Sequence, residues 1–159
     1  MNNEEEFIYQ LNLHGIKLNY KGKKIGYWEN YNFKTHKRKL VIKNKEYFPA
    51  LGPNCRQESK MYNAKGKVLG EFDAGRFKEL SLNHSLTIGN KKFAVHMNLF
   101  GKVKVSSENS YEPCLSFWRL PPFSRKVKFD SRKLSLEEAI LMKVLIETYF
   151  VANNPPVSG

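Results

Sequence analysis

LEEAILMKVLIETYFVA, spanning Leu136 to Ala152, reads as one helix whose surface is apolar almost all round. Its clearly polar positions are Glu137, Glu138, Lys143, Glu147 and Thr148, and at about 100° per residue most of them share one narrow stripe. A helix so apolar must be enclosed by protein or lipid. Ser135 and Glu138 stand at the Ser-x-x-Glu spacing of a capping box, which marks the start, and Pro155 and Pro156 bar continuation. At 1.5 Å per residue the segment is about 25 Å long, slightly short for a membrane span. It also carries Lys143 and Glu147 as an i,i+4 pair. Enclosure by the protein's own strands is therefore the expectation, with no transmembrane segment.

Strands occupy the sequence before it. Phe7, Tyr9, Leu11 and Leu13 alternate with Ile8, Gln10 and Asn12, and after Gly15 the apolar parity moves to Ile16, Leu18 and Tyr20. A parity shift at glycine predicts a bulge or bend within an antiparallel sheet. Further alternating runs are Leu40/Ile42, Leu80/Leu82, Leu86/Ile88, Phe93/Val95/Met97/Leu99, Val103/Val105, Leu115/Phe117 and Val127/Phe129. Lys21-Gly22, Lys65-Gly66 and Gly89-Asn90 are hairpin turns, because glycine supplies the positive φ that such turns require. Lys21 to Glu29 (KGKKIGYWE) and Lys65 to Asp73 (KGKVLGEFD) share one pattern, K-G-K-x-(I/L)-G-x-(W/F)-(E/D), which predicts a duplicated β-unit with Gly22 and Gly66 in left-handed positions.

Many antiparallel strands, hairpins such as YNAKGKVLGEF (Tyr62 to Phe72) and one terminal oily helix together resemble the tubby C-terminal-like superfamily, which includes tubby domains, LURP-one-related proteins and phospholipid scramblases. The resemblance spans about Phe7 to Ala152. It implies a closed antiparallel β-barrel of about twelve strands around a central hydrophobic C-terminal helix. Closure fits the sequence physically, since a barrel has no exposed edges and its lumen is filled by such a helix. Tubby domains bind phosphoinositide headgroups through basic residues, but those positions have no residue-by-residue match here. The acylated cysteine runs and calcium-binding segment of scramblases have no counterpart in the chain.

The 159 residues fit one domain, expected over residues 7–152 with flexible ends at 1–6 and 153–159. Its formal net charge is +12, from 27 Lys plus Arg against 15 Asp plus Glu, which favours anionic partners: nucleic acid, an anionic membrane surface or an acidic protein. The excess is uneven: Lys17 to Lys45 holds ten Lys or Arg against the single acid Glu29. Within that stretch Lys34, Lys37, Arg38, Lys39, Lys43 and Lys45 are the candidate anion-binding residues, with Arg38 offering a bidentate fork. A basic edge kept only for solubility is the competing reading. Tyr27, Trp28, Tyr31, Phe33, Tyr47 and Phe48 lie nearby, and interleaved with lysines they would stack bases if exposed. Arg125-Lys126-Val127-Lys128 with Arg132-Lys133 forms a second basic stretch, read as a solvated strand face and helix lead-in.

Catalytic signals are poor. His14, His36, His84 and His96 show no metal-ligand spacing, and the Glu58-Ser59-Lys60 triplet lacks the preceding aspartate that a metal-dependent nuclease would need. Cys55 and Cys114 are in no CxxC spacing, and the first residues hold no apolar h-region, so a reduced, cytoplasmic or peripheral-membrane setting is expected. The reading is a non-catalytic module without cofactor or metal that binds anionic ligands, phospholipid headgroups at a membrane surface first. A nucleic-acid binder and a scaffold domain without a small-molecule ligand are the alternatives.

Overall fold

A computed structural model describes residues 3–12, 15–29, 39–51, 58–73, 83–98, 100–119 and 126–153. The strands are β1 (Glu4–Asn12), β2 (Gly15–Tyr20), β3 (Lys23–Glu29), β4 (Leu40–Ile42), β5 (Lys45–Leu51), β6 (Glu58–Asn63), β7 (Val68–Asp73), β8 (Asn83–Ile88), β9 (Lys91–Met97), β10 (Lys102–Ser107), β11 (Pro113–Trp118) and β12 (Lys126–Asp130). They are followed by the helix α1 (Leu136–Asn153). Each strand pairs antiparallel with its sequence neighbour, and β1 pairs with β12. The sheet therefore closes into a twelve-stranded barrel with no free edge.

The helix fills the barrel. Eight consecutive residues, Ala139 to Ile146, are buried, and eight residues of an α-helix point in every direction around its axis. Phe7, Leu18, Leu40, Ile42, Met61, Phe72, Leu86, Val95, Val105, Leu115, Phe117, Val127 and Phe129 point inward around it as one core. The predicted capping box forms: Glu138 N donates to Ser135 Oγ at 3.1 Å and Ser135 N donates to a Glu138 carboxylate oxygen at 3.0 Å. The helix lies closest to β5–β7. Two positions there have little or no side chain: Ser59 Oγ donates to Leu145 O at 2.8 Å, and a Cβ added to Gly70 would stand 2.6 Å from Ile88 Cδ1 and 3.3 Å from Leu145 Cδ1. Glu58-Ser59-Lys60 is thus a strand whose serine faces the helix.

One irregularity recurs every fourth strand. Leu18 pairs with Gly26 and Asn19 with Lys24, passing over Ile25; Met61 pairs with Gly70 and Tyr62 with Val68, passing over Leu69. Val105 pairs with Leu115 and Ser106 with Pro113, passing over Cys114. Each β-bulge is followed three residues on by a buried aromatic, Trp28, Phe72 or Phe117. The next pairings also match: Gly26 with Ile42, Gly70 with Ile88, Leu115 with Phe129. The bulge and its register thus recur three times around the barrel at a spacing of four strands, and the sequence pattern marks two of the three. Gly26 is required in the first because an added Cβ would stand 2.0 Å from Val41 O.

Three expectations need correction. The parity break at Gly15 is the connection between two strands, since Asn12 pairs with Gly15 and Leu11 with Ile16. The two K-G-K segments do not share a turn type. Lys21 and Gly22 form a two-residue turn with both φ positive, at 51° and 78°. Ala64-Lys65-Gly66 is a longer turn closed by Asn63, with the predicted left-handed conformation at Gly66 alone (φ 83°). The first strand begins at Glu4, earlier than residue 7, because its glutamates are partnered: Glu4 pairs with Lys128 at 3.6 Å, and Glu5 accepts from Tyr20 Oη and stands 3.9 Å from Lys21 Nζ.

Candidate anion-binding face

The alternation that sends Val103, Val105, Leu115, Phe117, Val127 and Phe129 inward sends Lys102, Lys104, Ser116, Trp118, Lys126 and Lys128 outward. Antiparallel register then assembles them. Lys104 pairs with Ser116, and Ser116 with Lys128, so the two lysines flank one small hydroxyl at about 10 Å across two strand spacings. Lys102 pairs with Trp118, its Nζ 5.0 Å from a ring centroid. Lys126 projects from the same side of β12, two residues from Lys128. Exposed His96 extends the row beyond Lys104 onto β9.

These lysines repel one another. Burial pushes the Lys102 ammonium below its ordinary range, and the charges of Lys128 and Lys104 push it further the same way. Lys128 is bridged to Glu4 at 3.6 Å, and Glu6 stands across from it on β1. Lys102, Lys104 and Lys126 have no carboxylate within ion-pair distance among the described residues. Positive charge is therefore strongest toward β10 and falls toward β1.

The six residues singled out from the sequence fare differently. Lys34, Lys37, Arg38 and the aromatics Tyr31 and Phe33 lie outside the described residues. Lys39 sits between Glu29 at 3.4 Å and Glu46 at 3.6 Å, and hydrogen bonding to Glu29 raises its ammonium above the ordinary range. Lys43 is exposed at the β4–β5 turn with φ 48°. Lys45 stands 3.9 Å from Glu137 of the helix's first turn, to which Tyr47 also donates. This end of the segment is tied to acids that hold strands and helix in place. Tyr47 and Trp28 are buried, so neither offers a face for a base.

A second cluster is inside. Lys143 is only 1% exposed, and its Nζ donates to Glu147 Oε1 at 2.9 Å. The same oxygen accepts from Arg119 Nε at 3.4 Å. The ammonium lies 3.8 Å from the ring centroid of Phe117 and 4.6 Å from that of Tyr9. Burial raises the Glu147 carboxyl, but Lys143 and Arg119 outweigh it and hold it below its ordinary range. Cys114 is a buried free thiol, pushed up to about 11 by burial. The other cysteine, Cys55, lies outside the described residues.

A cleft of about 530 Å³ opens beside the helix start, lined by Asn90, Lys91, Lys92, Ser107 and Lys133 among others. Two of its lysines are already paired, Lys91 with Glu138 at 3.2 Å and Lys133 with Glu112 at 3.8 Å. The described residues hold no cluster of three or more His, Cys, Asp or Glu side chains suited to a metal. No helix among them is long and apolar enough to cross a membrane. No protein-family model, curated protein or solved structure matches the chain.

Proposed function

We propose that this protein is a non-catalytic, tubby-like barrel that docks on anionic phospholipid surfaces in a cytoplasmic setting through the outward face of β10–β12. What carries the reading is the convergence of Lys102, Lys104, Lys126 and Lys128 on one wall, three of them without an ion-pair partner among the described residues. A closed barrel of this kind presents such lysines from rigid strands, so little ordering entropy opposes contact with a layer of phosphates. Each basic residue near an anionic leaflet contributes about 1 kcal/mol, attenuated beyond a Debye length. Tyr47 and Trp28 lie in the core and are lost to base stacking, whereas Tyr27, Phe100 and Tyr111 are exposed, so an oligonucleotide arm in the binding test decides between phospholipid and nucleic acid.

The test is a binding panel: vesicles of phosphatidylcholine alone, vesicles with added phosphatidylserine, and a single-stranded oligonucleotide, each at low and physiological salt. Binding restricted to the phosphatidylserine vesicles and weakened by salt is the expected result. Preference for the oligonucleotide overturns the lipid assignment, and binding to neither removes the anionic-ligand reading.

A further inference from the structure

Tyr27, Val68, Phe100 and Tyr111 are the large hydrophobic side chains exposed among the described residues, and of these Phe100 is the aromatic without a polar group. It is 72% exposed at the tip of the β9–β10 hairpin, so it adds nothing to the core. The turn does not need it either. Asn98 N donates to Lys102 O at 3.0 Å, Gly101 N donates to Asn98 O at 3.2 Å, and Asn98 Oδ1 accepts from Phe100 N and Lys102 N, both at 2.9 Å. Gly101 takes the left-handed conformation with φ 85°.

The β6–β7 hairpin repeats this lattice. There Asn63 N donates to Lys67 O, Gly66 N donates to Asn63 O, and Asn63 Oδ1 accepts from Lys65 N and Lys67 N. The position equivalent to Phe100 is Lys65. The same backbone thus carries a lysine at the β6–β7 hairpin and an exposed aromatic at the β9–β10 hairpin.

The aromatic sits where the lysines converge. Lys102 follows it by two residues and lies against Trp118, and Arg119 N donates to Gly101 O at 2.9 Å, fastening the turn to the end of β11. The hairpin tip and the Lys102/Trp118 row share one end of the wall, with Lys104 and Lys128 behind them. An amphipathic edge of this composition, an aromatic tip ahead of cations on rigid backbone, matches the depth profile of a bilayer interface.

Resting on the lipid-docking reading, we infer that Phe100 is an apolar anchor that enters the interfacial layer of an anionic bilayer while Lys102, Lys104, Lys126 and Lys128 contact its headgroups. The occupant is a membrane surface, chosen on charge complementarity and on the exposed aromatic together. Burying one phenylalanine corresponds to roughly a ten- to hundredfold gain in affinity.

The experiment uses the full chain with mixed phosphatidylserine–phosphatidylcholine vesicles. Phe100→Ser should lower vesicle affinity roughly ten- to hundredfold. Phe100→Trp should keep affinity and gain, over wild type, a blue-shifted emission quenched by lipids brominated along the acyl chain. If wild type binds the vesicles while Phe100→Ser binds equally well and Phe100→Trp shows no added quenching, the anchor is overturned and lipid docking stands. If wild type does not bind these vesicles, or prefers an oligonucleotide, both ideas fall.

Discussion

Between Lys34 and Lys45 six basic residues crowd into twelve positions, whereas Lys102, Lys104, Lys126 and Lys128 are scattered across twenty-seven. In space the described parts of the two regions reverse that order. Lys39 is claimed by Glu29 and Glu46 and Lys45 faces Glu137, leaving Lys43 on a turn. The scattered four share one wall because β10, β11 and β12 are consecutive in the sheet and their outward positions fall in register. Charge density along a chain is a poor guide to charge density on a barrel, where every second residue leaves the surface and the neighbours are set by strand pairing.

Lys143 tests the same rule from inside the wall. It is a lysine like the others, but its environment is Glu147, Arg119 and two aromatic rings rather than water. Lys143→Met should cost up to about 3 kcal/mol in chemical denaturation, since it leaves the buried Glu147 carboxylate with the longer Arg119 contact at 3.4 Å. Lys143→Met with Glu147→Leu should recover most of that loss, because an apolar pair of similar volume needs no desolvation. By contrast, replacing all four outer lysines by glutamine should shift unfolding by less than about 1 kcal/mol. A fully stable Lys143→Met single variant would contradict the enclosed ion pair.

The next effect is smaller and depends on pH. Glu147's folded carboxyl titrates below its ordinary range, so its contribution is present above the unfolded carboxylate pKa and is lost as pH falls through the folded value. Stability should therefore decline below about pH 4. Glu147→Gln should be weaker at neutral pH, yet show a flatter decline across that acid window. Equal acid slopes for the two proteins would remove Glu147 from the account.

Legibility followed the same boundary between local and non-local information. The helix, its capping box and most of the strands are written locally, in an apolar run, a Ser-x-x-Glu spacing and repeated short alternations, whereas closure was implied by the tubby-like resemblance and rests on the pairing of β1 with β12. The β5 and β6 strands were harder to see because Pro49 interrupts the first, and because in the second Ser59 takes the place of a hydrophobe where the helix backbone comes close. The third repeat was hidden because Pro113-Cys114-Leu115 replaces the Gly-containing pattern and the β10–β11 connection lacks a K-G-K turn. The lysine wall depends on register, which no single window contains; Lys126 and Lys128 were visible as a solvated strand face, and Lys102 and Lys104 gave no sign of standing beside them.

The most direct measurement sets the two basic regions against each other in one assay, titrating phosphatidylserine-containing vesicles at low salt. Changing Lys102, Lys104, Lys126 and Lys128 together to glutamine should weaken binding by on the order of a thousandfold, from about 1 kcal/mol for each lysine. Changing Lys39, Lys43 and Lys45 together to glutamine should weaken it by less than about tenfold, because Lys39 and Lys45 already face acids. The reverse ranking, or equal losses from the two variants, would contradict the assignment of the β10–β12 wall as the binding face.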